Sequence, residues 1–139
     1  MAERSLMPVP DRDSAPYWLA LAKGTLELQH CSECSHWTWP PRPVCSGCQG
    51  ERLVWKPVNG TGEVYSWVVA HRAYTPELAA IVPYTIALVR IDEQADIYIP
   101  GRLTSDVEVY RGLRVRVAAE RLTEKIGELN WTAIPKGRP

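Results

Sequence analysis

The chain has 139 residues, 45% of them apolar, which is enough for one ordinary domain or two very small ones. Sixteen basic and sixteen acidic side chains cancel, and the charges also balance on each side of residue 60. This neutrality argues against a basic surface that grips nucleic acid. The first residues lack the apolar stretch of a signal peptide, and no segment has the roughly 20 apolar residues that cross a bilayer. Together with paired thiols, these features predict a cytoplasmic protein.

A polar arm and a short helix are predicted at the N-terminus. Residues 1–13 are polar and contain proline, which indicates a loose arm. The helix follows because Ser14 can cap it, Pro16 lies in its first turn and Gly24 comes just after its end. Its apolar side chains recur at helical spacing, and such a stripe usually covers its own chain, although it can also dock on another protein. The stripe consists of Tyr17, Trp18, Leu21 and Ala22.

All four cysteines fall into two Cys-x-x-Cys pairs that are separated by ten residues. Two thiolates at this spacing can face one ion from a tight turn, and a second such turn completes a tetrahedral four-sulfur site. Two disulfides or four free thiols are the alternatives, but the spacing favours a structural metal. The predicted ligands are Cys31, Cys34, Cys45 and Cys48.

Strands predicted over 25–30 and 52–58 flank the cysteine turns, and this order indicates a zinc ribbon that is too small to stand without its ion. Iron in the same sulfur cage would be redox-active. The turns of rubredoxin sites typically carry glycine after the second cysteine, whereas Ser35 and Gln49 occupy those positions here. The ligand type and this departure favour zinc. His30 and His36 flank the first pair, but four cysteines already fill the site.

Repeated short strands follow the turn signal at residues 59–62. Five segments rich in β-branched and aromatic residues, with one long connection over 72–83, predict a five-stranded Greek-key barrel of the OB type. Thr75 and Pro76 can begin one helical turn in that connection. The predicted strands are 63–71, 84–91, 95–103, 113–121 and 128–134. The fold is therefore expected to be mainly β, with an N-terminal arm and helix (1–24), a zinc ribbon (25–59) and an OB-fold domain (60–139).

The sequence offers no catalytic motif. No cysteine is spare, no nucleophile elbow or phosphate loop occurs, and a closed four-cysteine zinc site cannot act on substrate. OB barrels often bind ligands on an aromatic face, and alternation predicts that residues 65, 67, 69 and 71 share one face of the first barrel strand. Filling of the core by the same side chains is an equally good alternative. The candidate ligand contacts are Tyr65, Trp67, His71, Arg72 and Tyr84.

The order of parts resembles a family of zinc-ribbon-plus-OB-fold proteins that is catalogued as a domain of unknown function. The similarity covers nearly all of residues 14–135, and its most specific part is the pair of cysteine turns with Pro40-Pro41-Arg42-Pro43 between them. The other matching segments are Tyr17-Trp18, Leu26-x-Leu28-Gln29-x-Cys31, Gly60-x-Gly62-x-Val64-Tyr65-Ser66, Pro83-Tyr84 and Gly112-x-x-Val115.

The resemblance implies a rubredoxin-like zinc ribbon, a C-terminal OB barrel and a partner subunit that is not a catalyst on its own. Members of the family associate with thiolase-superfamily enzymes, including aldolases that cleave the side chains of steroid-type acyl-CoA thioesters. The implied function is that of a non-catalytic accessory subunit of such an aldolase or acyltransferase in a hetero-oligomer. Some members carry a hydratase-type domain, but this bare module does not inherit that activity. The alternatives are an independent OB-fold module for acyl-CoA or single-stranded nucleic acid and a small iron electron carrier.

Overall fold

A computed structural model describes residues 7–135, which form two short helices and ten strands. The helices are α1 (Ala15–Ala22) and α2 (Pro76–Ala79). The strands before the barrel are β1 (Glu27–Cys31), β2 (Trp37–Thr38) and β3 (Leu53–Pro57). The later strands are β4 (Thr61–Ala70), β5 (Tyr84–Ile91), β6 (Tyr98–Leu103), β7 (Arg114–Val117), β8 (Glu120–Arg121), β9 (Gly127–Glu128) and β10 (Asn130–Ala133). No described helix is long and apolar enough to cross a membrane.

The start of α1 matches its prediction in position but not in its capping bond. The Ser14 side chain bonds no amide of the helix, which corrects the sequence prediction. Its hydroxyl instead accepts hydrogen bonds from the Asp11 amide at 3.1 Å and from Trp18 Nε1 at 3.2 Å. The Asp11 carboxylate in turn accepts a bond from the Ser14 amide at 2.8 Å. The predicted polar arm is described only from residue 7, and residues 1–6 lie outside the described range.

The apolar stripe of α1 covers its own chain, as the more common of the two predicted arrangements requires. Tyr17 and Leu21 are buried in the main hydrophobic core, and burial raises the pKa of the Tyr17 hydroxyl. The β8–β9 hairpin packs beneath this helix. A Cβ added at Gly127 would lie less than 3.0 Å from the backbone of Leu21, so a glycine is needed where the hairpin meets the helix.

The first sheet has three antiparallel strands in the order β2-β1-β3. Strand β1 lies in the centre, where Gln29 pairs with Thr38 on one side and with Trp55 on the other. Strands β1 and β3 correspond to the two strands predicted around the cysteine turns. The two-residue strand β2 was not predicted, because it is too short to show an alternating pattern in the proline-rich segment between the cysteine pairs.

The second sheet closes into a barrel in the order β10-β6-β5-β4-β7, with β10 returning to β7. Its pairs are antiparallel except for the short parallel contact between β6 and β10. This arrangement is the five-stranded OB barrel that the sequence predicts. The predicted strands 113–121 and 128–134 each break in two, since β8 and β9 leave the barrel to form their own hairpin under α1.

One hydrophobic core runs through both sheets and the helix. Trp131 is fully buried at its centre, and Leu28 of the first sheet is also fully buried. The indole of Trp131 lies against the backbone of β6, where a Cβ added at Gly101 would be 2.7 Å from the Cδ1 atom of the ring. Because the barrel, the first sheet and α1 share this core, the three parts support one another.

Candidate functional site

The four cysteines meet at one point between the two cysteine turns. Their Sγ atoms all lie within 4.8 Å of one another, with 3.7 Å between Cys31 and Cys48 and 3.6 Å between Cys34 and Cys45. These distances are far longer than a disulfide bond. They match a tetrahedral site with metal–sulfur bonds of about 2.3 Å, in which the sulfurs are about 3.8 Å apart. The four thiols are all free, so the structure supports the predicted metal site.

The two cysteine turns are built in the same way. The amide of Ser35 donates to the carbonyl of Cys31, and the amide of Gln49 donates to the carbonyl of Cys45, each at 3.0 Å. Ser35 and Gln49 both have left-handed backbone conformations, with φ of 65° and 62°. These are the two positions at which the sequence lacks the expected glycines. Both turns therefore hold a residue with a Cβ in a conformation that favours glycine.

The surroundings of the Cys45 and Cys48 thiols move their pKa values apart. The amide of Cys48, helped by that of Gly47, lowers the pKa of the Cys45 thiol to about 6, although burial acts in the opposite direction. At Cys48 the amide of Gly50 lowers the pKa of the thiol. The neighbouring thiols, of which Cys34 has the largest effect, raise it, and the net pKa is about 12. Four thiolates at this spacing repel one another, so a bound cation is needed to ionise them all. The donor set fits a closed structural metal site that has no position left for substrate.

The two neighbouring histidines are engaged elsewhere. His30 packs edge-on against Trp37 with ring centroids 4.5 Å apart, and His36 Nε2 lies 3.3 Å from Gln94 Nε2. Gln94 belongs to the connection between β5 and β6, and its side chain binds the backbone of Trp37. Its Oε1 accepts from the Trp37 amide, and its Nε2 donates to the Trp37 carbonyl, both at 2.9 Å. Sequence reasoning missed this clamp between ribbon and barrel, since a lone glutamine in a loop carries no pattern.

A β-bulge separates the candidate ligand residues of β4. Val64 pairs with Val89 and Ser66 pairs with Leu88, which leaves Tyr65 as the extra residue between them. The prediction that residues 65, 67, 69 and 71 share one face is therefore wrong, because the bulge interrupts the alternation. Residue 71 also lies beyond the end of the strand.

Tyr65 belongs to a cluster on the outside of the barrel. Its ring centroid is 4.8 Å from that of Tyr98, and the guanidinium carbons of Arg111 and Arg90 lie 4.6 Å and 5.9 Å from it. Arg90 also forms an ion pair with Glu63. The rings and guanidinium groups hold one another by stacking and cation–π attraction.

The other candidate contacts are scattered. Trp67 is 38% exposed near the far end of β4, and His71 and Arg72 are exposed in the segment that follows. Tyr84 lines a groove of about 380 Å³ beside α2, together with Leu78 and Ile81. The structure therefore does not gather the five candidates into one site, and their contact with a ligand stays a prediction.

A larger groove of about 910 Å³ was not predicted from the sequence. It lies between the β6–β7 connection and the residues that follow β10, and its lining is mainly apolar. Val107, Tyr110 and Ile134 supply apolar surface, while Glu108 and Arg114 are its charged members. No sequence pattern indicates this groove, because its two walls are distant along the chain.

The fold and the four-thiol site define a protein in which a rubredoxin-like ribbon precedes an OB barrel. Two family models match adjoining parts of the chain: the rubredoxin-like zinc ribbon domain of ChsH2 over residues 18–54, and the C-terminal OB-fold domain of ChsH2 over residues 55–120. The chain therefore belongs to the ChsH2-type, or DUF35, family of zinc-ribbon-plus-OB-fold proteins.

Two curated relatives each align with about two thirds of the chain. A probable enoyl-CoA hydratase alpha subunit from Thermomonospora curvata is 37% identical over 94 residues, which are 65% of this chain. The chain spans only 28% of the length of that relative. A DUF35 domain-containing scaffold protein from Methanocaldococcus jannaschii is 27% identical over 101 residues, which are 68% of this chain and 67% of that protein.

Two solved structures share the architecture. A chain of the Ltp2-ChsH2(DUF35) aldolase superposes with a TM-score of 0.79 at 26% identity, covering 91% of this chain and 98% of that one. A DUF35 protein of unknown function from Sulfolobus solfataricus superposes with a TM-score of 0.60 at 16% identity, covering 88% of this chain and 86% of that one. The second likeness concerns the fold alone.

Proposed function

We propose that the protein is a non-catalytic accessory subunit of a thiolase-superfamily aldolase or acyltransferase that acts on acyl-CoA thioesters. The observation that carries this proposal is the match to a chain of the Ltp2-ChsH2(DUF35) aldolase over nearly the whole length of both chains. The name of the archaeal DUF35 scaffold protein gives further support. Degradation of steroid side chains is the particular setting that the family resemblance favours.

The ion at the four cysteines is proposed to be zinc in a structural role. The family model is that of a zinc ribbon, and the four sulfurs are close enough to share one ion. When bound, zinc would cross-link the two cysteine turns and give the ribbon a fixed surface without taking part in the reaction. This chain's own residues would then dock and orient, while the chemical step would belong to the partner.

The barrel is proposed to border the partner's substrate. The connection over residues 72–83 carries α2, and α2 forms one wall of the groove that Tyr84 lines. Leu78 and Ile81 offer apolar contact there, and Arg102 and Glu128 supply charged groups of opposite sign at the same groove. A groove with this mixture suits a thioester chain that has an apolar acyl part and a polar carrier.

Native co-purification tests the proposal. The tagged full-length protein is isolated from its source cell, and the proteins that accompany it are identified by mass spectrometry. A thiolase-fold enzyme in stoichiometric amount is the expected result. Val54 is 46% exposed on the edge strand of the ribbon, so Val54→Glu should weaken this association without disturbing the thiols. A variant that lacks the cysteines but still folds and assembles normally would remove the docking role of the ribbon.

An independent OB-fold module that binds free acyl-CoA is the second candidate. The observation in its favour is the apolar groove of about 910 Å³ beside the charged side chains of Glu108 and Arg114. Titration of the purified protein with an acyl-CoA and with a single-stranded oligonucleotide distinguishes the ligand classes. The neutral charge balance favours the thioester over the oligonucleotide.

A further inference from the structure

Strand β4 is paired on both sides only along its first part. It pairs with β5 from Gly62 to Ala70, whereas its pairing with β7 covers Thr61 to Glu63. Val64 adds the last two backbone bonds on that side, to Leu113 and from Gly112. From Ser66 to Ala70, no residue within 7–135 pairs with the edge of β4 that lies opposite β5. We call this segment, residues 66–70, the free edge.

The free edge is apolar on both of its faces. Trp67 is 38% exposed, Val68 is 64% exposed and Val69 is 41% exposed. Trp67 pairs with Ala87 on the face that continues the barrel interior, while Val68 pairs with Ile86 on the opposite face. Exposed edge strands are normally protected by charge, by proline or by a bulge. The free edge has no charged residue and no proline, and the bulge lies before it.

We propose that the free edge pairs antiparallel with the free edge of a second copy of this chain, which joins the two barrels through one continuous sheet. On each side of Val68 the segment has an apolar residue (Trp67 or Val69) followed by a small one (Ser66 or Ala70). In this pairing Val68 of one protomer meets Val68 of its partner, Trp67 meets Val69, and Ser66 meets Ala70. Large side chains thus lie beside large ones on the interior face, and small ones lie opposite small ones at the two ends.

A second copy is the occupant that this edge itself fits. Every second residue of an edge strand directs its N–H and C=O away from the neighbouring strand, so an added strand supplies partners for backbone groups that no residue within 7–135 pairs with. A copy brings the same row of groups related by a two-fold axis, and the absence of charge removes any like-charge repulsion across that axis. The pairing uses the barrel only, so the ribbon surface of both protomers stays open to an enzyme partner.

The oligomeric state of the full-length, zinc-loaded protein tests the proposal. Sedimentation analysis over a range of protein concentrations should give a dimer that dissociates on dilution. Val68→Glu and Val68→Lys should each raise the dissociation constant by about tenfold or more, because each places like charges at the two-fold axis. Mixing the two variants should restore a mixed dimer, since opposite charges then meet. A wild-type protein that stays monomeric, or a mixture that fails to pair, would overturn the proposal.

Val54→Glu is the matched control. Val54 is also an exposed valine on an edge strand, but that strand is β3 of the ribbon. The Val54→Glu variant should dimerise like the wild type. If Val54→Glu dissociates the dimer and the Val68 variants do not, the interface lies on the ribbon and the proposal is wrong. Hydrogen exchange of the unmodified chain gives a second measurement, in which the amides of residues 66–70 should be protected at high concentration and exposed at low concentration. Protection that does not change with protein concentration would contradict the pairing. The outcome of co-purification with an enzyme, which tests the proposed function, does not depend on this result.

Discussion

Glycine at the two left-handed positions of the cysteine turns should tighten metal binding. Ser35 and Gln49 adopt φ of 65° and 62°, and both side chains are exposed. Ser35→Gly and Gln49→Gly therefore remove a Cβ from an unfavourable conformation without opening a cavity. The change acts next to Cys34 and Cys48 but leaves all four ligands in place.

The expected gain follows from two opposing contributions. A residue with a Cβ in the left-handed region costs about 1–2 kcal/mol relative to its ordinary conformation. Glycine also has more conformational freedom in the unfolded chain, which lowers the stability of the folded protein by about 0.4–1 kcal/mol and so offsets part of this gain. The net stabilisation is about 0.5–1 kcal/mol for each site. Because folding of a small ribbon is coupled to binding of its ion, this free energy should appear as metal binding that is about two- to fivefold tighter for each variant.

Competition with a chromophoric chelator measures the apparent zinc affinity, and thermal unfolding measures stability in parallel. Gly112→Ala is the matched control, since Gly112 has a φ of 97° in the barrel and an added Cβ would meet no atom within 4 Å. It should lower stability by about 1 kcal/mol and leave the zinc affinity unchanged. Weaker zinc binding in Ser35→Gly or Gln49→Gly would refute the argument, and so would a neutral Gly112→Ala.

Three other perturbations give measurable outcomes. Cys45→Ser should abolish stoichiometric metal binding and lower the melting temperature, because the ribbon shares its core with the barrel; an unchanged melting temperature would contradict this. Gly127→Ala should cost about 2–3 kcal/mol of unfolding free energy, since its Cβ would meet the backbone of Leu21, and a neutral result in denaturant titration would refute that packing. The Arg114 guanidinium, bonded to Asp92 at 2.6 and 2.8 Å, lowers the pKa of that carboxyl. The pair therefore stabilises the fold above the ordinary carboxyl pKa and stops doing so as the pH falls through the lowered value. Asp92→Asn should cost at most about 1 kcal/mol near neutral pH, as both side chains are partly exposed, and should flatten the loss of stability in acid.

The parts of the protein that depend on local chemistry could be predicted from the sequence. The spacing of Cys31, Cys34, Cys45 and Cys48 fixes which sulfurs can approach one ion, because each pair lies within a single turn. Helix α1 falls where Pro16 and Gly24 place it, and β5 has the predicted bounds of residues 84 and 91. The five barrel strands could be recognised because each has a regular apolar pattern that is complete within a few residues.

The features that the sequence did not predict depend on residues that are distant along the chain. The bulge at Tyr65 is set by how β4 pairs with β5, so alternation along β4 alone placed Tyr65 and Trp67 on the same face. Gln94 acts as a clamp only because the β5–β6 connection lies beside Trp37. The sequence by itself determined which four thiols meet and the order of the five barrel strands along the chain, since both rest on short-range spacing. The tertiary structure alone decided which faces are open, which grooves form and which edge of β4 is left unpaired among residues 7–135, because burial and pairing depend on the partner that each strand meets.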